Sequence, residues 1–343
     1  MKILIVGGTK FLGRHLVTAV QARGHEVTLF HRGKHSSEGI ENVEEIYGDR
    51  NSDLDKLNGG NWDAVIDTCG YLPQTVKASA EALKNSVGQY VFISSVSAYA
   101  DFSVSDYNET APAANLSGEQ KLKADKIDPK AEITAVVLED MYGALKASCE
   151  REAETAMPGK TLIVRPGLIV GSYDPTDRFT YWVIRTAQGG EVLAPGTPNR
   201  FVQIIDVRDL SEWIVEMIEH KKSGIYNATG KPFELTFVKM LEEIKTESSS
   251  DASFTWVDEE FLKREAVEEW SEMPLYMVES VKEVSGFLSA NIDKAVAENL
   301  KFRPLAETIQ DTLSWRKTKS DKMEAGIDFE REQELLRKWY EEN

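Results

Sequence analysis

Apolar residues fall first in short unbroken runs and then in spaced stripes. Ile3 to Val6 is a continuous branched-aliphatic run, the pattern of a strand buried on both faces of a parallel sheet. Glycines end it, and from Gly13 to about Arg23 the apolar Leu16, Val17 and Val20 recur at helical spacing. Gly24-His25 punctuates this helix before a second apolar run, Val27 to Phe30. The alternation continues with a strand at Ala64 to Ile66, a helix opened by Pro73 and a strand at Tyr90 to Ile93. A proline suits the first turn of a helix, whose N–H groups have no partner within the helix. Repeated strand-helix units predict an α/β fold, a doubly wound parallel sheet of the Rossmann type.

Past Val164 the order loosens. A polar and aromatic stretch runs from Ser172 to Trp182, a strand is predicted near Phe201 to Ile205, a helix from about Asp209 to Glu219 and a strand-turn at Tyr226 to Gly230. From Thr236 onward helical signals dominate, and Glu247 to Asp251 (ESSSD) is a polar loop. The chain is expected to divide into a dinucleotide-binding domain (1–171, rejoined by 201–228), a smaller, mainly helical substrate lobe (172–200 and 229–315) and a helical tail (316–343). In that tail Leu335, Leu336, Trp339 and Tyr340 stand among charges, as on an amphipathic helix that packs on the body or on a second subunit in a homodimer.

Composition narrows the function. With 41% hydrophobic and 28% charged residues, the 343-residue chain has the balance of a globular protein. A formal charge of −17 repels polyanions and no basic stripe offsets it, so neither nucleic acid nor an anionic membrane is an expected partner. Cys69 and Cys149 form no framework or metal pattern, the N-terminal apolar run is too short for a signal-peptide core or a membrane span, and a cytoplasmic location is expected. The five histidines show no HxxxH or HExxH spacing, so no metal site is expected.

Gly7-Gly8-Thr9-Lys10-Phe11-Leu12-Gly13 lies at the first strand-helix junction, where a tight turn aims backbone N–H groups at a pyrophosphate. Gly7, Thr9, Lys10, Phe11, Leu12 and Gly13 are therefore candidate cofactor contacts. At the end of the second strand, where an NAD site carries a carboxylate for the ribose, His31 is followed by Arg32. Arg32, with Lys34 nearby, can hold a 2′-phosphate through charge-assisted bonds, which favours NADP(H) over NAD(H).

Tyr142 and Lys146 stand four apart, on one face of a helix. The lysine charge is expected to lower the phenol pKa toward a value useful for proton transfer near neutrality. Ser94, Ser95 and Ser97 follow the strand ending at Ile93, whose carboxyl end faces the cofactor crevice in such folds. Asp174, Asp177, Arg178, Tyr181 and Trp182 are read either as a polar and aromatic pocket or as a solvated loop.

Together the glycine loop, SSxxxY at 94–99, Glu109 to Pro112, YGxxKxxxE from Tyr142 to Glu150, Arg165-Pro166, Ile205 to Leu210 and Tyr226 to Gly230 resemble the extended short-chain dehydrogenase/reductase family, in its NAD-dependent epimerase/dehydratase branch. One departure is Lys10, which stands where the family has its central glycine. The resemblance implies that Ser95 hydrogen-bonds the reacting oxygen, Tyr142 exchanges the proton, Lys146 tunes it and holds the nicotinamide ribose, and Asp49 contacts the adenine. It implies an NAD(P)-dependent oxidoreductase or epimerase acting on a hydroxyl/carbonyl pair of a small polar metabolite such as a nucleotide sugar. Sugar 4,6-dehydration is not expected, because Val96 and Ser97 stand where those enzymes carry an Asp-Glu pair. The GGTKFLG loop and VTLFHRGK also resemble an atypical subgroup that includes chloroplast stem-loop RNA-binding proteins, so the alternative is a non-catalytic dinucleotide- or RNA-binding protein on the same fold.

Overall fold

The computed structural model describes residues 1–35 and 38–343. The first half alternates strands and helices: β1 (Lys2–Val6), α1 (Phe11–Ala22), β2 (Glu26–His31), β3 (Glu44–Tyr47), β4 (Trp62–Asp67), α2 (Pro73–Leu83) and β5 (Val87–Ile93). Then come α3 (Gly118–Ala124), α4 (Ala135–Leu138), α5 (Tyr142–Ala156), β6 (Thr161–Pro166), β7 (Leu168–Val170), α6 (Arg178–Ala187), β8 (Glu191–Pro195), β9 (Ile204–Asp206), α7 (Val207–Glu219) and β10 (Gly224–Ala228). The remainder is α8 (Phe237–Ser248), β11 (Ser253–Val257), α9 (Glu259–Arg264), α10 (Asp293–Ala297), α11 (Leu305–Arg316) and α12 (Phe329–Glu342).

Seven strands form one parallel sheet in the order β10-β6-β5-β4-β1-β2-β3. This is a doubly wound Rossmann sheet, and chain reversal at β1 and β4 opens a crevice at the strands' carboxyl ends. The central strands are apolar because both faces are covered. Ile3 and Ile5 pack with Leu16, Val20, Trp213 and Ile214 of α1 and α7, whereas Leu4 and Val6 pack with Val76, Ala80, Cys149 and Ala153 of α2 and α5.

A separate hydrophobic cluster gathers Trp182, Val192, Phe237, Leu241, Phe261, Ile309 and Leu335 from α6, β8, α8, α9, α11 and α12. The tail helix α12 is docked into it, and Glu332, fully buried, pairs with Arg185 at 2.6 Å. Two expectations shift in this half. The predicted strand at 201–205 is confined to Ile204–Asp206 and pairs with β7. The region read as helical contains β11, which pairs in parallel with β8. That pairing joins segments about sixty residues apart, and local periodicity does not carry such a partner. Among the described residues no helix is long and apolar enough to cross a membrane.

Candidate active site

The crevice is built first from glycine. Gly7 has φ +99°, and a Cβ there would lie 2.5 Å from Thr68 Oγ1, in the loop after β4. A Cβ on Gly13 would stand 2.4 Å from the Gly8 Cα, a clash with backbone, so this position lets α1 start directly against the loop. Helix α1 begins at Phe11, two residues earlier than its apolar stripe suggests. It has no side-chain cap and no acidic residue in its first turn, so its leading N–H groups and dipole are available to an anion. Thr9, Leu12 and Gly13 are buried in this turn, and Phe11 packs edge-on against His15. Lys10 occupies the helix N-cap with an extended backbone, φ −112°, a conformation that needs no glycine. Its ammonium leaves the loop and meets Glu132 at 3.1 Å.

Arg32 is exposed at the end of β2 and donates from Nη1 to the Lys130 carbonyl at 3.2 Å. Asp49 sits at the carboxyl end of β3, where its Oδ1 accepts from Asn51 N at 2.9 Å and Asn51 Nδ2 at 3.0 Å. Beside it lies a group that the motif reading passed over. Arg50 is buried and grips Asp67 of β4 with two bonds of 2.7 and 2.6 Å, while Tyr90 adds a third to that carboxylate at 2.7 Å. This pairing locks the β3 loop to the sheet. Cys69 lies in the same nest, and burial pushes its thiol pKa up, which agrees with an inert side chain.

Ser95, Tyr142 and Lys146 converge where β5 ends and α5 begins. Ser95 is the N-cap of a one-turn 3-10 helix, its Oγ accepting from Ser97 N at 3.1 Å. That hydroxyl also draws the Tyr142 phenol pKa down. A Cβ on Gly143 would lie 2.0 Å from the Ser97 carbonyl, so the residue after Tyr142 must be glycine for α5 to approach this turn. Lys146, one turn on, is 3% exposed and donates from Nζ to the carbonyls of Gly70 at 2.9 Å and Ile93 at 2.6 Å. Its ammonium lies 4.8 Å from the centre of the Phe92 ring and 5.1 Å from that of Tyr71.

The electrostatics correct one expectation. Burial pushes the Tyr142 phenol up to about 12, and the influences drawing it down are Ser95 and Arg178 rather than Lys146. Lys146 spends its charge on backbone carbonyls, and burial lowers its own pKa. The glutamate that ends the motif has a framework role. Glu150 is buried, accepts from Arg165 at 2.9 and 2.6 Å and from Ser94 Oγ at 2.5 Å, and so ties α5 to β5 and β6. Ser94 therefore faces this ion pair, and Ser95 alone of the two faces the phenol.

The stretch after β7 is packed into the body, not a solvated loop, and Tyr181 and Trp182 belong to the second hydrophobic cluster. Asp174, Asp177, Tyr181 and Trp182 are buried. Tyr173 (φ +68°) and Asp177 (φ +52°) hold left-handed backbone conformations that favour glycine. Asp174 Oδ1 accepts from Thr176 N at 2.9 Å and Thr176 Oγ1 at 2.8 Å, and burial pushes its carboxyl up to about 6. Arg178 rests over the Trp270 ring at 5.2 Å, makes no hydrogen bond or ion pair among the described residues, and acts electrostatically on Tyr142. Among the described residues no group of three or more His, Cys, Asp or Glu side chains is arranged to hold a metal.

Comparison with known proteins agrees with this geometry. The chain is 25% identical over 256 residues to the chloroplast stem-loop binding protein of 41 kDa b from Arabidopsis thaliana, matching 68% of its own length and 59% of that relative's. Its fold is similar to that of UDP-glucuronic acid 4-epimerase from Bacillus cereus, solved in complex with NAD (TM-score 0.65, 17% identity, 93% of this chain and 99% of that one). It is similar also to UDP-N-acetylglucosamine 4-epimerase from the same organism (TM-score 0.63, 17% identity, 92% and 99%). Residues 3–229, about two thirds of the chain and all seven strands of the main sheet but the first residue of β1, match one family model, and the protein belongs to the NAD dependent epimerase/dehydratase family.

Proposed function

We propose that the protein is an NAD(P)-dependent enzyme that interconverts a hydroxyl and a carbonyl on a small polar metabolite, with nucleotide sugars the leading class. The observation that carries this is the meeting of Ser95 with Tyr142 at the end of β5, on the same sheet edge as the glycine loop. The residues present fit a dinucleotide: an uncapped α1 N-terminus for the pyrophosphate, Asp49 at the end of β3 for the adenine and Arg32 at the end of β2 for a 2′-phosphate. When bound, the nicotinamide supplies and takes back hydride.

The chain's own residues handle the oxygen and its proton. Ser95 Oγ orients the substrate oxygen, and the Tyr142 hydroxyl, beside it, gives or accepts the proton as that oxygen changes between carbonyl and alcohol. Arg178 favours the phenolate form, opposing the burial that disfavours it. Lys146 holds the Gly70 and Ile93 carbonyls at the ends of β4 and β5 in place, and its ammonium would be a donor to the ribose of a bound nicotinamide. The sheet half (1–171 with 201–228) is the dinucleotide side, and the buried stretch from Asp174 to Trp182 belongs to the substrate side.

The cofactor choice is tested by titrating the protein with NADPH and NADH. NADPH is expected to bind more tightly, and Arg32→Ala to erase most of that preference; equal affinities in the unmutated protein remove the 2′-phosphate assignment. The reaction is tested by incubating the NAD(P)-loaded enzyme with a panel of UDP- and dTDP-sugars and watching for reduced nicotinamide and epimerised product. The similarity to a stem-loop binding protein supports a second reading, RNA binding on the same fold, which a net charge of −17 opposes. Submicromolar binding of structured RNA at physiological salt, with no turnover in the sugar panel, would favour that reading.

A further inference from the structure

Between β5 and α5 the chain makes a long excursion. Helix α3 is opened by a capping box, Ser117 with Gln120, and ends at Ala124; residues 125–134 then run along the carboxyl edge of the sheet. Three contacts hold this strap. Lys10 of the glycine loop pairs with Glu132 at 3.1 Å, Arg32 at the end of β2 donates to the Lys130 carbonyl at 3.2 Å, and Asn51 at the end of β3 donates from Nδ2 to the Pro129 carbonyl at 2.9 Å. On its inner side Ile127 and Ile133 pack in a small cluster with Leu72, Leu138 and Met141, which Tyr71 and Tyr142 also join. The ends of β1, β2 and β3 are where the adenosine half of a dinucleotide lies on a doubly wound sheet. The strap bridges all three.

We infer that residues 125–134 set the affinity of the dinucleotide site by occupying it in the free protein, with Glu132 holding Lys10 in place of a ligand phosphate and the Lys130 carbonyl holding Arg32. A dinucleotide enters by taking both cations from the strap, which then lifts from the adenosine half. This rests on the NAD(P) assignment above. The chemistry is an exchange of anions on the same two cations. Glu132 is exposed and its carboxyl pKa is held down by Lys10, so it is ionised and competes with phosphate at neutral pH. The competition is moderate, because an ion pair with side chains 51% and 65% exposed is screened by water.

The test uses the full chain, with NADPH and NADH as probes. Glu132→Gln keeps the side chain's size and removes its charge, and it is expected to bind both dinucleotides about 1.5- to 5-fold more tightly, the factor an exposed pair supplies. A second readout is tryptic cleavage after Lys126 and Lys130, located by mass spectrometry. NADPH is expected to speed cleavage at these two bonds, because the ligand displaces the strap. Unchanged or weaker dinucleotide binding by Glu132→Gln, or protection of Lys126 and Lys130 by NADPH, overturns the inference while leaving the cofactor assignment standing. Failure of both proteins to bind either dinucleotide overturns the two together.

Discussion

Replacing Asp174 with asparagine should stabilise the protein in a pH-dependent way. Asp174 is 4% exposed, and burial raises its carboxyl pKa from 3.8 to about 6, only partly opposed by the two bonds from Thr176 and by Arg178. Because the folded-state pKa is raised, the native state holds this proton more tightly than the unfolded chain does. The folded protein therefore bears a cost whenever the group is ionised, and that cost is fully present above pH ~6 and fades as pH falls toward the unfolded value. A shift of about two units corresponds to about 3 kcal/mol. Asparagine keeps an Oδ1 to accept from Thr176 N and Oγ1 and has no charge to desolvate. Urea unfolding should show the variant more stable by about 2 to 3 kcal/mol near pH 8, with the difference shrinking to nothing near pH 4. An equal or lower stability near pH 8, or a difference that does not change with pH, refutes the reasoning. Activity is expected to move the other way, since a costly buried carboxylate beside Arg178 and strained Tyr173 and Asp177 has the character of a functional site.

Three further outcomes follow from the site. Tyr142→Phe should lower turnover about a hundred-fold or more while leaving dinucleotide binding and the melting temperature near those of the parent, and full activity would remove Tyr142 from the chemistry. Arg178→Met removes the cation that draws the phenol down, so the rate should rise with pH along a limb displaced to higher pH; an unmoved pH-rate profile refutes that role. Arg50→Met leaves the fully buried Asp67 with Tyr90 and the Cys69 N–H as partners, and the loss of about 3 to 5 kcal/mol expected for an unpaired buried carboxylate should be read by urea unfolding near pH 7. A loss under about 1 kcal/mol would show that water or rearrangement replaces the arginine.

What the sequence determined by itself was local chemistry in a local frame. Continuous aliphatic runs such as Ile3 to Val6 announce strands covered on both faces, because no solvated strand tolerates them, and a glycine loop between such a run and a helix announces an anion cradle. The four-residue spacing of Tyr142 and Lys146 placed both on one turn of α5, as the helix requires. Tertiary structure decided everything that depends on partners distant in the chain. Spacing suggested that Lys146 governs Tyr142, but Lys146 is claimed by the carbonyls of Gly70 and Ile93, and Arg178, 36 residues beyond Tyr142, takes the electrostatic role. Lys10 stood in the sequence where the family has a glycine, either crowding the phosphate approach or supplying a cation to it, and only Glu132, 122 residues away, shows where its charge goes. The Arg50–Asp67 lock and the β8–β11 pair are of the same kind. Periodicity and motif spacing record which face a residue shares with its near neighbours. Burial, which decides what a charge costs and which partner it must find, is settled only when segments remote in sequence close around it.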